Sequence, residues 1–229
     1  MSILQRGLRR LARWLLAEPD GVRRAIQGRN NQLEAQGATL VNVELDIIGN
    51  DNRIVLGEGG VFHNVRFRLR GDGHRIEFGP NCRISRGALL WFEDDHCLLQ
   101  VGAGTTMVEV HIAVTEPGSQ VIIGEDCMFA NDIDIRSGDS HAIIDVASGQ
   151  RLNPAANVVI GHHVWIAPHV VVLKGVQVGD HSVVATGAIV TKSCPPHSLI
   201  AGNPARVVRT GISWKRERSY HVETSHDNR

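Results

Sequence analysis

Asp139-Ser140-His141 stands in a polar run in the second half of the chain, and Trp165 follows the histidine by 24 residues. A neutral imidazole, with an unperturbed pKa of about 6.5, suits removal of a proton from a weakly acidic hydroxyl near neutrality. General-base help of that kind contributes around 10² to 10⁴ in rate. The chain holds twelve histidines, and a histidine on a polar loop is most often a solvated surface residue, so His141 alone decides nothing. Asp139 either orients the imidazole, as a carboxylate does in a triad, or caps the turn; both roles stay open. Ser140 adjoins His141 too closely to pair with it easily, which leaves direct attack on a substrate simpler than a covalent route.

The elements that must position these residues announce themselves by period. Ile160, Ile166, Val172, Val178, Val184 and Val190 recur every six residues, and four positions after each stand Val164, Val170, Val176, Ser182, Ala188 and Cys194. An even period fits strands, whose alternate residues share a face, and fits a helix poorly. A six-residue repeat therefore reads as a short strand plus a corner, stacked into a solenoid whose coils bury their apolar rows on one another. Cys82, Cys127 and Cys194 fall in the small inward slot and read as core, Cys97 lies off the column, and no CxxC pair suggests a metal.

Before the perfect repeats the pattern is looser. Leu56-Gly57, Phe78-Gly79, Val101-Gly102 and Ile123-Gly124 recur every 22 or 23 residues, which implies insertions at one corner, near Arg70-Gly71-Asp72-Gly73-His74 and Glu93-Asp94-Asp95-His96. The register breaks between Ile135 and Val158, so residues 136–157 form a loop projecting from a rigid scaffold, where function concentrates. Residues 1–37 differ in kind: Leu4, Leu8, Leu11, Leu15 and Leu16 at helical spacing with Arg6, Arg9, Arg10 and Arg13 between them predict an amphipathic helix, with a second helical stretch over Val22 to Glu34. After Pro195-Pro196 the solenoid ends, and beyond Ile212 the sequence is charged and reads as a fraying tail, 211–229.

Taken together, Asp-x-His in the loop, Asn153-Pro154-Ala155, Ile160-Gly161 with Val164-Trp165-Ile166, and Gly202-Asn203-Pro204-Ala205 followed by arginines resemble the hexapeptide-repeat acetyltransferases over roughly Gly49 to Arg209. The run from Met128 to Ile143, MFANDIDIRSGDSHAI, is most similar to bacterial capsule and exopolysaccharide O-acetyltransferases, including the polysialic acid type. The resemblance implies an all-β left-handed parallel β-helix over 38–210 and acetyl-CoA as co-substrate. It also implies an acetyl group passed directly to a sugar hydroxyl with His141 as general base, and a homotrimer whose sites lie between subunits. By position in the motifs, Trp165 flanks the acceptor or the pantetheine arm, and His111 and Asn131 contact the acceptor. Ala185 and Thr186 line the pantetheine, and Thr191, Lys192, Arg206 and Arg209 approach the phosphates. Trp165 has an alternative use as packing between subunits. Relatives commonly carry a residue with a backbone N–H after the Trp-Ile-Gly step; Pro168 has none, which leaves Ala167 or a group elsewhere as the thioester-oxygen donor.

Charge balances, with 24 basic and 24 acidic residues, so no global field argues for nucleic acid. No run approaches the roughly 18 apolar residues of a membrane span, and a cytoplasmic protein is the default, with weak peripheral membrane contact through the arginine-rich N-terminal helix as an added expectation. Three other readings stand beside the polysaccharide one: a xenobiotic or small-sugar acetyltransferase, a zinc carbonic anhydrase of the same solenoid class using His162, His163 and His181, and a non-catalytic scaffold. The adjacent pair His162-His163 fits a ligand set poorly, since neighbours on a strand point opposite ways, and no metal is expected.

Overall fold

A computed structural model describes residues 21–220, and over them the chain winds into a β-helix with three walls. The first wall is a seven-stranded parallel sheet of Gln32–Glu34, Arg53–Leu56, Arg75–Phe78, Leu98–Val101, Gln120–Ile123, Val158–Ile160 and Gln177–Val178. A 15-stranded sheet bends round to form the other two. It does so because Arg83–Glu93 and Thr106–Val114 are long enough to cross a corner, each pairing with strands of both walls. Later coils run shorter strands, Trp165–Ile166 and Val183–Val184 on the second wall, Val171–Val172 and Ile189–Val190 on the third.

The columns read from the sequence are real stacks. Leu56, Phe78, Val101, Ile123, Ile160 and Val178 pair rung to rung on the first wall, and all are buried. The glycine after each column residue is demanded by clearance: a Cβ on Gly124 would lie 2.6 Å from the Gly161 carbonyl carbon, and one on Gly161 would lie 2.1 Å from Asp180 Oδ1. Parallel strands stack about 4.8 Å apart, which leaves the corner no room for a side chain pointed at its neighbour. The longer early period comes mostly from the third wall, where Val65–Arg70 has six residues against two in Val171–Val172. Turns do follow at Gly71–His74 and Asp94–Cys97.

Two expectations need correction. Val22–Gln27 and Gln32–Glu34 are strands, not the second helical stretch: Val22 is buried in the first coil, and Val22–Gln27 pairs in parallel with Val43–Ile48, so the solenoid begins before Ala38. The ladder pairs one edge of each strand with the next coil, and tertiary pairing overrides local propensity. The Leu4–Leu16 helix and its membrane contact lie outside the described residues; among the described ones, no helix is long and apolar enough to cross a membrane. The tail after Ile212 does not fray at once either. Trp214 is buried, and Arg216 hydrogen-bonds Asp126, Thr106 and the Cys127 carbonyl, because an indole and a planar guanidinium bind a ridged corner that a polar tail would leave. Residues 221–229 lie outside the description.

All four cysteines are free and buried. Burial pushes the Cys82 and Cys127 thiols up to about 11 and that of Cys97 to about 12, and raises that of Cys194. None is a nucleophile at neutral pH.

Candidate active site

The insertion leaves the corner between Ile133–Arg136 on the third wall and Val158–Ile160 on the first. Its ends are tied together, Ala156 N donating to Ser137 O at 2.9 Å, while buried Ser137 receives the Thr115 N–H on its hydroxyl. Between them a small hairpin forms, with Leu152 N donating to Ile143 O at 2.8 Å and Asp145 capping the tip through Ser148.

Asn153 is the hub of this loop. It is buried, donates through Nδ2 to Asp139 Oδ2 and to the His141 carbonyl, both at 2.8 Å, and accepts the Ile143 N–H at 2.6 Å. Lys174, from a corner of the following coil, closes an ion pair with Asp139 and donates to Asn153 O at 2.9 Å. Arg151 pairs with Glu116 of the coil below. The Lys174 hydrogen bond, helped by Asn153 against a smaller burial effect, holds the Asp139 carboxyl below the usual range. Asp139 serves the turn through one oxygen, Oδ2, which takes both Lys174 and Asn153, and its link to His141 is backbone to backbone, 2.7 Å from His141 N to Asp139 O. The His141 ring is exposed and hydrogen-bonds no described residue. Asn153 and Lys174 were invisible in the sequence as site residues, although Asn153 opens the Asn-Pro-Ala motif.

Trp165 lies elsewhere on the chain's surface. It points outward from the second wall, in register with Met128 and Val183, half-buried, and 6.2 Å from the Trp214 ring. The first wall separates its edge from the loop's corner. Within one chain, His141 and Trp165 do not meet.

Further along the second wall, Ala167 is buried and its N–H donates to Val184 O at 2.9 Å. Ala167 is thus no free donor for a thioester oxygen, because the coil ladder consumes its N–H. Pro168 occupies the next corner position, and Thr186 repeats that position one coil on, exposed beside half-buried Ala185. Thr191 and Lys192 are exposed on the corner after Ile189–Val190. The last strand, Ala205–Thr210, folds back antiparallel on Ser198–Gly202 and packs beside Ile189–Val190, which brings exposed Arg206 and Arg209 toward that corner. Among the described residues, Lys192, Arg206 and Arg209 have no carboxylate partner, a property they share with Arg75, Arg83 and Arg86; what sets them apart is that they lie at one corner.

His111 sits on the third wall with Nδ1 3.2 Å from Asp134 Oδ2, beside a groove it lines with Asn64, Arg66, Glu109 and Asp132. Its ring stacks 6.1 Å from that of Trp91, which Arg68 covers at 5.4 Å. Burial works to raise the Asp134 carboxyl, but hydrogen bonds from His111 and Arg136 and the Arg136 charge outweigh it and bring it down to about 2. Asn131 is half-buried at the corner between the second and third walls, where its carbonyl accepts from His169 N at 3.1 Å. Beyond His111 itself, no local pattern marks the Trp91–His111–Asp134 cluster, whose members come from three successive coils.

The suspected metal histidines do not converge. His163, His181 and His197 occupy equivalent left-handed corner positions, φ 51°, 58° and 61°, and stack along the solenoid. Both His163 nitrogens face protein partners, Asp126 Oδ2 at 2.6 Å and Trp214 O at 3.0 Å, while His162 Nδ1 accepts the Glu125 N–H.

Residues 157–192 match the family model described as bacterial transferase hexapeptide (six repeats). A polysialic acid O-acetyltransferase of Neisseria meningitidis is 34% identical over 150 residues, spanning 65% of this chain and 68% of that protein. One of Escherichia coli O1:K1 is 35% identical over 116 residues, 51% of this chain and 38% of the relative. The solved polysialic acid O-acetyltransferase OatWY superposes with a TM-score of 0.81 at 31% identity over 88% of this chain and 95% of its own. The polysialic-acid-specific acetyltransferase NeuO gives 0.79 at 28% identity, over 90% and 93%.

Proposed function

This chain belongs to the hexapeptide-repeat O-acetyltransferases of the polysialic acid type, and we propose that it moves an acetyl group from acetyl-CoA to a hydroxyl of a capsular or exopolysaccharide with His141 as general base. The observation that carries the reading is the loop itself: a hairpin fixed at its root by Asp139, Asn153 and Lys174 presents one imidazole with both nitrogens unengaged. A structural histidine would be spent on partners, as His163 is. The imidazole takes the acceptor proton as the hydroxyl oxygen attacks the thioester carbonyl. As the tetrahedral intermediate collapses, the C–S bond breaks and the imidazolium returns the proton to the departing thiolate.

The free cations fit the other substrate. Lys192, Arg206 and Arg209 lack carboxylate partners among the described residues and are gathered at one corner, which supports their assignment to the pyrophosphate and 3′-phosphate. Thr191 shares their corner, and the pantetheine arm runs past Ala185 and Thr186. Ala167 is left with a wall-forming role, and the thioester oxygen takes its hydrogen bond from a group other than Ala167 or Pro168. Because the loop and Trp165 stand on different edges of one chain, the complete site is a joint one: His141 of one subunit meets the Trp165 wall of the next in a C₃ trimer. Exposed Ile143, Ile144, Val146 and Leu152 on the hairpin suit that contact. Trp165 flanks the acetyl group, while His111 and Asn131 contact outlying parts of the glycan.

A screen of capsular and exopolysaccharide acceptors with acetyl-CoA, read as free thiol release, tests the proposal. Transfer by the wild type and its loss in His141→Ala are expected; near wild-type turnover in that variant overturns the role of His141.

A further inference from the structure

From the geometry of the C-terminal segment we infer that Trp214 is a positioning residue for acetyl transfer, acting through Trp165; the inference rests on the functional reading above. Residues 212–216 run back along the corner between the first and second walls as a strap fastened at both ends. At the upper end Ile212 N donates to His197 O at 3.1 Å, and its carbonyl faces His197 Nδ1 at 3.1 Å. At the lower end Arg216 donates to Asp126 Oδ1 at 2.8 Å, to Thr106 Oγ1 at 3.0 Å and to the Asp126 and Cys127 carbonyls.

Between these anchors Trp214 is held on every side. Its Nε1 donates to His163 O at 2.7 Å, its ring lies parallel to that of His163 at 4.3 Å, and the Arg216 guanidinium covers it at 5.6 Å. His163 is itself fixed by Asp126, which Arg216 also grips, so strap and corner form one closed network. Trp165 has no comparable support: its rung neighbours are Met128 and Val183, and the aromatic ring that meets it is Trp214, 6.2 Å away at an interplanar angle of 48°. A large outward indole between a flexible Met and a small Val keeps its side-chain torsions only if a rigid body stands beside it. The strap supplies that body. Its consequence is specific to the reaction, because on the functional reading above Trp165 flanks the reacting groups, and small misplacements of such groups cost large factors in rate.

The test is a double-mutant cycle of Trp165→Ala and Trp214→Ala on the full chain, with kcat and KM for acceptor and acetyl-CoA measured for each variant. Trp214→Ala is expected to lower kcat/KM by about tenfold, Trp214→Phe to restore most of it, and the double variant to be no worse than Trp165→Ala alone. Trp214→Leu replaces the alanine variant if the latter does not fold. A readout independent of activity comes from circular dichroism: the two indoles should give an exciton couplet in the wild type that both Trp165→Phe and Trp214→Phe abolish. Multiplicative losses in the cycle, a folded Trp214→Ala with wild-type kinetics, or a missing couplet overturns the inference while leaving the function standing. A wild type that shows the couplet yet acetylates none of the glycans overturns the functional reading and takes the inference with it.

Discussion

Lys174 reaches across 35 residues of sequence to pair with Asp139, and this contact pins the root of the hairpin to the coil that follows it. The pair engages Asp139 through Oδ2 alone, which Asn153 shares, so the carboxylate is fixed in place beside the histidine two residues on.

His141→Ala should lower kcat by at least about a hundredfold, the lower end of general-base contributions. Its circular dichroism and melting temperature should match the wild type, because the ring packs against nothing that the fold requires. Thiol release and a thermal melt on the same preparation check both halves.

Removing the anchor should act at a distance. Lys174→Met and Asn153→Ala leave His141 intact but free the hairpin root, so kcat should fall by about ten- to a hundredfold, as misplacement of a catalytic group does. Asn153→Ala should be the more severe, since Asn153 joins Asp139, the His141 carbonyl and the Ile143 N–H. Faster limited proteolysis between Ser140 and Leu152 would accompany the loss, and an unchanged cleavage rate would contradict the anchoring role.

The legibility of the molecule divides along the same line. The coil was readable because its period is carried by side chains at fixed spacing, Ile160 to Val190, each forced inward by its neighbours above and below. The loop was readable as a place, because an interruption in a strict repeat stands out. Asn153, Lys174 and the Trp214 strap were not readable: their long-range partners lie 10 to 110 residues away in sequence, and no local pattern marks such contacts. The Val22–Glu34 error has the same origin, for pairing with the next coil decided its conformation.

Acid should weaken the fold late. Asp134, Asp126 and Asp139 all have depressed carboxyl pKa values, Asp134 at about 2. Folded values below unfolded ones mean that their stabilisation is fully present above the unfolded carboxylate value of about 3.9 and drains away as pH falls through the folded values. Melting temperature should therefore be insensitive to these groups from about pH 5 upward and drop steeply between about pH 4 and 2. Asp134→Asn should be less stable at neutral pH and show a shallower acid slope.

The thiols should be silent. With Cys82, Cys97 and Cys127 raised by burial to about 11, 12 and 11, none should react with Ellman's reagent in the native protein, and all four should react after denaturation. A thiol titrating rapidly in the native state would disprove this.

A corner glycine replaced by alanine tests the stacking. Gly124→Ala places a methyl group 2.6 Å from the Gly161 carbonyl carbon, and strain of that kind costs about 1–3 kcal/mol. Urea unfolding would measure it, with Gly87→Ala, whose added Cβ would come no nearer than 3.4 Å to an atom beyond its chain neighbours, as the comparison.

The reversed final strand has a bearing on how the molecule behaves in a crowded cell. Every other rung runs in one direction and offers the next an unpaired edge, so a column of this kind is built to accept more of itself without limit. Ala205–Thr210, laid antiparallel over Ser198–Gly202 with a register break between Leu199 and Ile200, covers that edge and carries exposed Arg206 and Arg209, and bulges and charges on an edge disfavour addition of a further copy at that end.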